Sequence, residues 1–247
     1  MLWQKGWLET RFRLLFTLGL TAFVLSVQHS AHIASAPTPH ATAAVLSARM
    51  HANEVILSAM TFANAISLIV VCAMLAGAGI ATQPSFQAAK GVHGSSLFTL
   101  SLPVSRLRLL ATRAAIGWLE CVAEIALLCV GTWLVSPLLR QMATRTEMAE
   151  YAVTLVACVS TLYFLSVLLA TFLDDQWRTW GTMIAAVAFY QISHHASLPA
   201  SVDIIQAIGK NSPIIAHTVP WSAMVFSVVL AAALFFAALK VAQSREY

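Results

Sequence analysis

Hydrophobic and polar positions along this chain alternate on the scale of a membrane's thickness rather than of single helical turns. Apolar runs occupy Leu14 to His29, Val55 to Ile80, Ala114 to Leu139, Tyr151 to Leu173, Thr179 to Ser193 and Trp221 to Leu239. Crossing a hydrocarbon core takes about 20 residues as a helix, and flanking aromatics extend the shorter runs toward that length. The pattern predicts an all-α, polytopic membrane protein with six transmembrane helices, built as a single transmembrane domain over residues 1–247.

The polar segments between the runs set the order. Residues 1–13 mix Trp3, Trp7, Leu8 and Phe12 with Lys5, Arg11 and Arg13, the composition of a helix lying in the membrane interface. Spans one and two fall in 14–80, joined by an alanine-rich excursion with Pro37 and Pro39. A loop fills 81–113, spans three to five lie in 114–193, and span six with a polar tail fills 221–247. Between Leu173 and Thr179, Asp174 to Arg178 reads as a tight turn. Residues 194–220, with Pro199, Pro213 and Pro220 around the apolar Val202 to Ile208, predict a short re-entrant or interfacial helix. A secretory signal peptide ending near Ala34-Ser35-Ala36 is the rival for the first run; Pro37 behind the cleavage point and the polytopic remainder argue against it.

Charge orients this layout. Of fourteen Lys and Arg residues, only Arg49, Arg140, Arg145 and Lys210 fall on segments facing one side, and the other ten face the opposite side. The positive-inside rule then puts both termini and residues 81–113 in the cytoplasm of a multi-pass cell-membrane protein, expected in a bacterial inner membrane. Composition agrees: 59% of residues are hydrophobic and 10% charged, with a mean hydropathy of +0.79, outside the soluble globular range. The net charge of +4 is spread over juxtamembrane segments with no aromatic-interleaved basic face, so nucleic-acid binding is not expected. Cys72, Cys121, Cys129 and Cys158 sit inside apolar runs without metal-site spacing.

One polar, basic stretch long enough to fold runs straight into a spanning segment. In Gly94 to Glu124, Phe98, Leu100 and Leu102 carry an apolar side, Pro103 redirects the backbone, Ser105 can cap a helix starting after it, and Arg106, Arg108 and Arg113 precede the apolar run. Leu100-Ser101-Leu102-Pro103-Val104-Ser105-Arg106, with Arg108-Leu109-Leu110 and Arg113, resembles the cytoplasmic loop of ABC-2 type (type-2 ATP-binding-cassette) exporter permeases. Lys5 to Arg11 is similar to that family's amino-terminal elbow helix, while Ala88, Ala89 and Lys90 stand where many members carry acidic residues.

The resemblance implies a coupling helix formed by Phe98, Leu100, Leu102, Pro103, Arg106 and Arg108, docking on a separate cytoplasmic ABC ATPase subunit. It also implies a second permease subunit, in a homodimer or heterodimer, with membrane lipid around the pair. No cofactor is expected on this chain: it has no Walker-type phosphate loop, so ATP and Mg are expected on the partner ATPase, and the chain itself is not expected to be an enzyme. Two other classes compete with an exporter permease. One is a sensor or assembly subunit that keeps the docking loop but transports nothing; the other, a membrane-embedded enzyme, needs a converging nucleophile or metal constellation that is not legible.

Inside the spans, Glu120 and Glu124 share one helix face at roughly 9 and 15 Å from Ala114, deep for carboxylates. They line a translocation path or titrate as a proton pair, or else a neutral carboxyl hydrogen-bonds a neighbouring helix. Asn64 on span two is expected to make a helix–helix hydrogen bond. Seven of the eight histidines, His194, His195 and His217 among them, fall on the predicted outer side, where solvated or interfacial roles compete with metal binding or pH sensing.

Overall fold

The computed structural model describes residues 11, 13–27, 64–76, 105–173, 175–196 and 198–244, and among these the chain is all-helical, without strands. The helices are α1 (Arg13–Val27) and α2 (Asn64–Leu75), both short and apolar, then α3 (Arg106–Val135), α4 (Pro137–Met142), α5 (Arg145–Leu169), α6 (Asp175–His195), α7 (Ile204–Ile208), α8 (Pro213–Ala216) and α9 (Trp221–Ser244). Three of them, α3 from Leu107 onward, α5 and α9, are long and apolar enough to cross a membrane. Apart from Arg11 and Arg13, the predicted elbow lies outside the described residues, and so does the coupling loop before Ser105.

The bundle is organised around α5, which packs against α3, α6, α7, α8 and α9. Ala157 to Thr161 are five consecutive buried positions, more than one full turn, so the middle of α5 is enclosed on every side. Small and hydroxylated residues on this helix allow close neighbours. Thr161 Oγ1 donates to the Ser227 carbonyl of α9 at 3.0 Å, and Ser160 Oγ accepts from Trp118 Nε1 of α3 at 3.0 Å. The outer faces of α3 and α9 instead carry exposed Leu119, Val130, Leu134, Val225, Val229 and Phe236. Such a surface suits hydrocarbon rather than water.

Helix ends follow capping chemistry rather than the hydropathy boundary. The helix expected to begin at Ala114 begins at Arg106, because Ser105 Oγ accepts the Arg108 backbone N–H at 3.3 Å. Arg106 to Arg113 are therefore helical instead of loop. At the far end, α3 stops at Val135, short of the expected Leu139. Pro137 has no N–H to continue the ladder, and Ser136 closes α3 through its backbone N–H while its hydroxyl caps Leu139 of α4. The helix expected from Tyr151 starts at Arg145 behind a capping box: Thr144 Oγ1 accepts from the Glu147 N–H, and Glu147 Oε2 accepts from the Thr144 N–H. The turn expected over Asp174 to Arg178 is helical from Asp175 on.

The segment after α6 folds back on the bundle. Asp203 is fully buried and caps α7 by accepting the Gln206 N–H at 3.0 Å, while Ser193 at the end of α6 donates to the same carboxylate at 2.7 Å. Ile204, Ala207 and Ile208 of α7 are buried. The short helix expected around Val202 to Ile208 is thus present as α7, packed on α5, α6 and α9.

Candidate functional site

Three places in the bundle hold polar groups or space that an apolar helix bundle does not require. The first is where α2 ends. The last carbonyls of any helix lack intrahelical donors, and a bundle in hydrocarbon offers no water to serve them. Here arginines from two other helices supply the donors. Arg178 Nη2 of α6 donates to the Ala73 carbonyl at 3.0 Å, and Arg13 Nη1 of α1 donates to the Met74 carbonyl at 3.2 Å. Cations at a helix C-terminus also complement its dipole. Arg178 is 2% exposed, and Arg113 at the same end of α3 is buried as well.

Gly117 lets α3 close on this junction. A Cβ at that position would lie 2.5 Å from the Tyr163 hydroxyl and 2.8 Å from the Leu75 carbonyl oxygen. The Tyr163 hydroxyl is itself committed, donating to the Ala114 carbonyl at 2.8 Å. One turn further along, the Cys72 and Cys121 sulfurs meet at 3.4 Å. The result is an interlocked corner where α1, α2, α3, α5 and α6 converge.

The second place lies deeper along α3. Glu124, 1% exposed, accepts from Thr17 Oγ1 at 2.8 Å on one oxygen and from Thr21 Oγ1 at 2.9 Å on the other. The threonines are four residues apart and so share one face of α1, in register with a carboxylate that has one lone-pair edge for each. Glu124 is therefore a polar clasp between α1 and α3. Glu120, one turn before it, and Asn64 at the start of α2 are both buried. No group of three His, Cys, Asp or Glu side chains among the described residues is placed to hold a metal.

The third place is a cavity of about 510 Å³ at the opposite end of the bundle from the arginine corner, between α2, α6 and the α7–α8 segment. Its walls are apolar, from Ile66 and Ile69 of α2 to Val187 of α6 and Ile208, while His194, Gln206 and Lys210 bring polarity to one end. Nearby, the His217 ring nitrogen Nδ1 lies 2.6 Å from Glu147 Oε1 and ties the end of α8 to the start of α5.

Of the residues expected to couple to an ATPase, Phe98, Leu100, Leu102 and Pro103 lie outside the described residues; Arg106 opens α3, and Arg108 is exposed on its first turn. The arginine caps at α2 and the cavity are not foreseen by the sequence reading. Arg178 carries only a weak signal, the one cation in a polar stretch with Asp174, Asp175 and Gln176 that reads as a turn. Its partner, a backbone carbonyl 105 residues away, carries none.

Compared with protein-family models, with curated proteins and with solved structures, the chain matches none.

Proposed function

We propose that this chain is the transmembrane permease subunit of an ATP-driven exporter of the ABC-2 type. In this reading it crosses the membrane six times with both termini in the cytoplasm, pairs with a second permease subunit, and docks a cytoplasmic ATPase that binds ATP and Mg. The observation that carries the proposal is continuity at the start of α3. The basic stretch containing Leu102, Pro103 and Arg106 leads through the Ser105 cap into one unbroken helix of 30 residues. A push on the segment before Ser105 is thereby delivered along α3 to Gly117, where α2 and α5 are locked against it. Exposure of Arg108 and burial of Arg113 also suit a helix that leaves the membrane surface between those two residues.

Co-purification with the ATPase tests the reading. Truncating a buried aromatic anchor costs about 2 kcal/mol or more at an interface, roughly thirtyfold in affinity, whereas an exposed rim charge costs much less. Phe98→Ala is expected to release the ATPase or uncouple hydrolysis from transport in a protein that remains monodisperse, and Arg108→Ala to do less. Full ATPase binding and coupled transport in Phe98→Ala would sink this placement of the docking surface.

A further inference from the structure

We infer that the cavity between α2, α6 and the α7–α8 segment binds the hydrocarbon chain of an anionic amphiphile, with the headgroup at Lys210. The inference does not depend on the exporter reading. At about 510 Å³ the cavity is well inside the range of roughly 300–1,000 Å³ typical of small-molecule sites. It is elongated: along α6 its lining runs from Ala186 to His194, eight residues or roughly 12 Å at the rise of a helix. Ile69 and Ala186 make the deep part apolar, which admits methylene groups and leaves a polar ligand unserved.

Polarity is confined to one end and has one sign. Lys210 is exposed and forms no ion pair among the described residues, and His194, also exposed, lines the same cavity. The acid nearest to it in sequence, Asp203, is fully buried and held by Ser193 and the Gln206 N–H, so it does not neutralise Lys210. An apolar slot with a cation at its mouth is complementary to a chain that ends in sulfate, phosphate or carboxylate. The opening is flanked by Ile66 and Val187, 45% and 59% exposed, so a chain can enter from surrounding lipid without first crossing water.

The test uses the full chain in phosphatidylcholine nanodiscs, labelled with hexadecyl sulfate bearing a diazirine at the end of its chain, with adducts located by mass spectrometry. Adducts are expected at Ile69 or Ala186, with unlabelled hexadecyl sulfate competing more strongly than hexadecanol. Lys210→Gln should weaken the sulfate roughly tenfold, the loss of one charge-assisted contact, and leave hexadecanol unchanged. Val187→Trp should abolish labelling by filling the slot from an exposed wall; if that variant is not monodisperse, Ile66→Trp serves the same purpose. Repeating the labelling in phosphatidylglycerol nanodiscs separates the two sources of this chemistry: suppression identifies a bilayer lipid as the occupant, and persistence a free amphiphile. Adducts confined to the outward faces of α3 and α9, or a sulfate preference that survives Lys210→Gln, would overturn the inference.

Discussion

The two ends of the bundle are built on opposite principles. At the end where α3 begins, α2 stops against arginines from α1 and α6, and Gly117 brings the backbone of α3 into contact with the Leu75 carbonyl and the Tyr163 hydroxyl. Space there has been eliminated, and the Ala73 and Met74 carbonyls and the Tyr163 hydroxyl each find a partner on another helix. At the other end, short helices replace long ones, a buried aspartate holds α7 in place, and a cavity of about 510 Å³ remains between α2 and α6. Tight packing transmits displacement, because dense interiors are bistable rather than compressible, whereas a cavity accommodates a ligand. Held at one end and bordered by space at the other, α2 is the element that the locked corner and the cavity share.

The contrast breaks most visibly at the arginine corner. Arg178→Ala removes the donor to the Ala73 carbonyl and leaves a void where a fully buried side chain stood. Loss of a charged hydrogen bond and cavity creation together should cost about 3–4 kcal/mol. A fall in thermal stability in detergent measures it, and Arg178→Lys should recover only part, since the compact ammonium is more strongly hydrated and costs more to bury than the planar guanidinium. Unchanged stability in Arg178→Ala would mean that the end of α2 is not held as described.

Gly117→Ala should come next, at about 2–3 kcal/mol, because the new methyl meets a backbone carbonyl and a committed hydroxyl. Gly181→Ala on α6 is the control. Its Cβ would meet only Leu169 and Leu173 methyls at 3.4 and 3.6 Å, an ordinary contact, so the gain in helix propensity should leave that variant as stable as the parent or slightly more so. Equal losses at both positions would erase the contrast between a locked and an ordinary helix contact.

Arg178 and Gly117 also mark where the sequence stops being legible. The cores of α3, α5 and α9 are evident as apolar runs, because burial in hydrocarbon imposes one sign of hydropathy on every face. Their ends are not, since a helix continues into water wherever a cap serves its first N–H groups. Thr144-Arg145-Thr146-Glu147 is a capping-box signature and could have placed the start of α5 six residues earlier than hydropathy does. Glu124 announces itself as a buried carboxylate, and Thr17 and Thr21 on a neighbouring apolar helix have the matching spacing of four. Gly117 and Arg178 are different: both act on carbonyls of α2, and a backbone acceptor has no residue identity from which to infer a partnership.

At Glu124 the two hydroxyls provide a further test. Replacing Thr17 and Thr21 together by Val keeps their shape but removes both donors from a buried carboxyl, at an expected cost of about 1–2 kcal/mol. Glu124→Gln should be nearly silent for assembly. Thr17 has one hydroxyl hydrogen and two acceptors, Glu124 Oε1 and the Leu14 carbonyl, so an amide at position 124 can donate to Thr17 while Thr17 serves Leu14, and the amide oxygen still accepts from Thr21. Stability and size-exclusion profiles of the two variants decide it. A Glu124→Gln protein as damaged as the double Val variant would show that the carboxylate charge, rather than the hydrogen bonds, holds α1 to α3.

The mildest change is expected at the open end, at His217. This residue follows α8 with φ 52° and ψ 26°, a left-handed conformation that Asn adopts more readily than most residues other than Gly. Its imidazole also reaches Glu147 at 2.6 Å, but with 58% of the side chain exposed the contact is screened by water. The backbone requirement should therefore outweigh the ring. His217→Asn loses the ring and keeps the conformation, so its stability should match the parent's, whereas His217→Ala keeps neither and should lose about 1 kcal/mol. Thermal unfolding of the two variants side by side separates the contributions. If Asn proves as costly as Ala, the link between α8 and α5 lies in the imidazole–carboxylate contact, and the open end is fastened more firmly than its exposure implies.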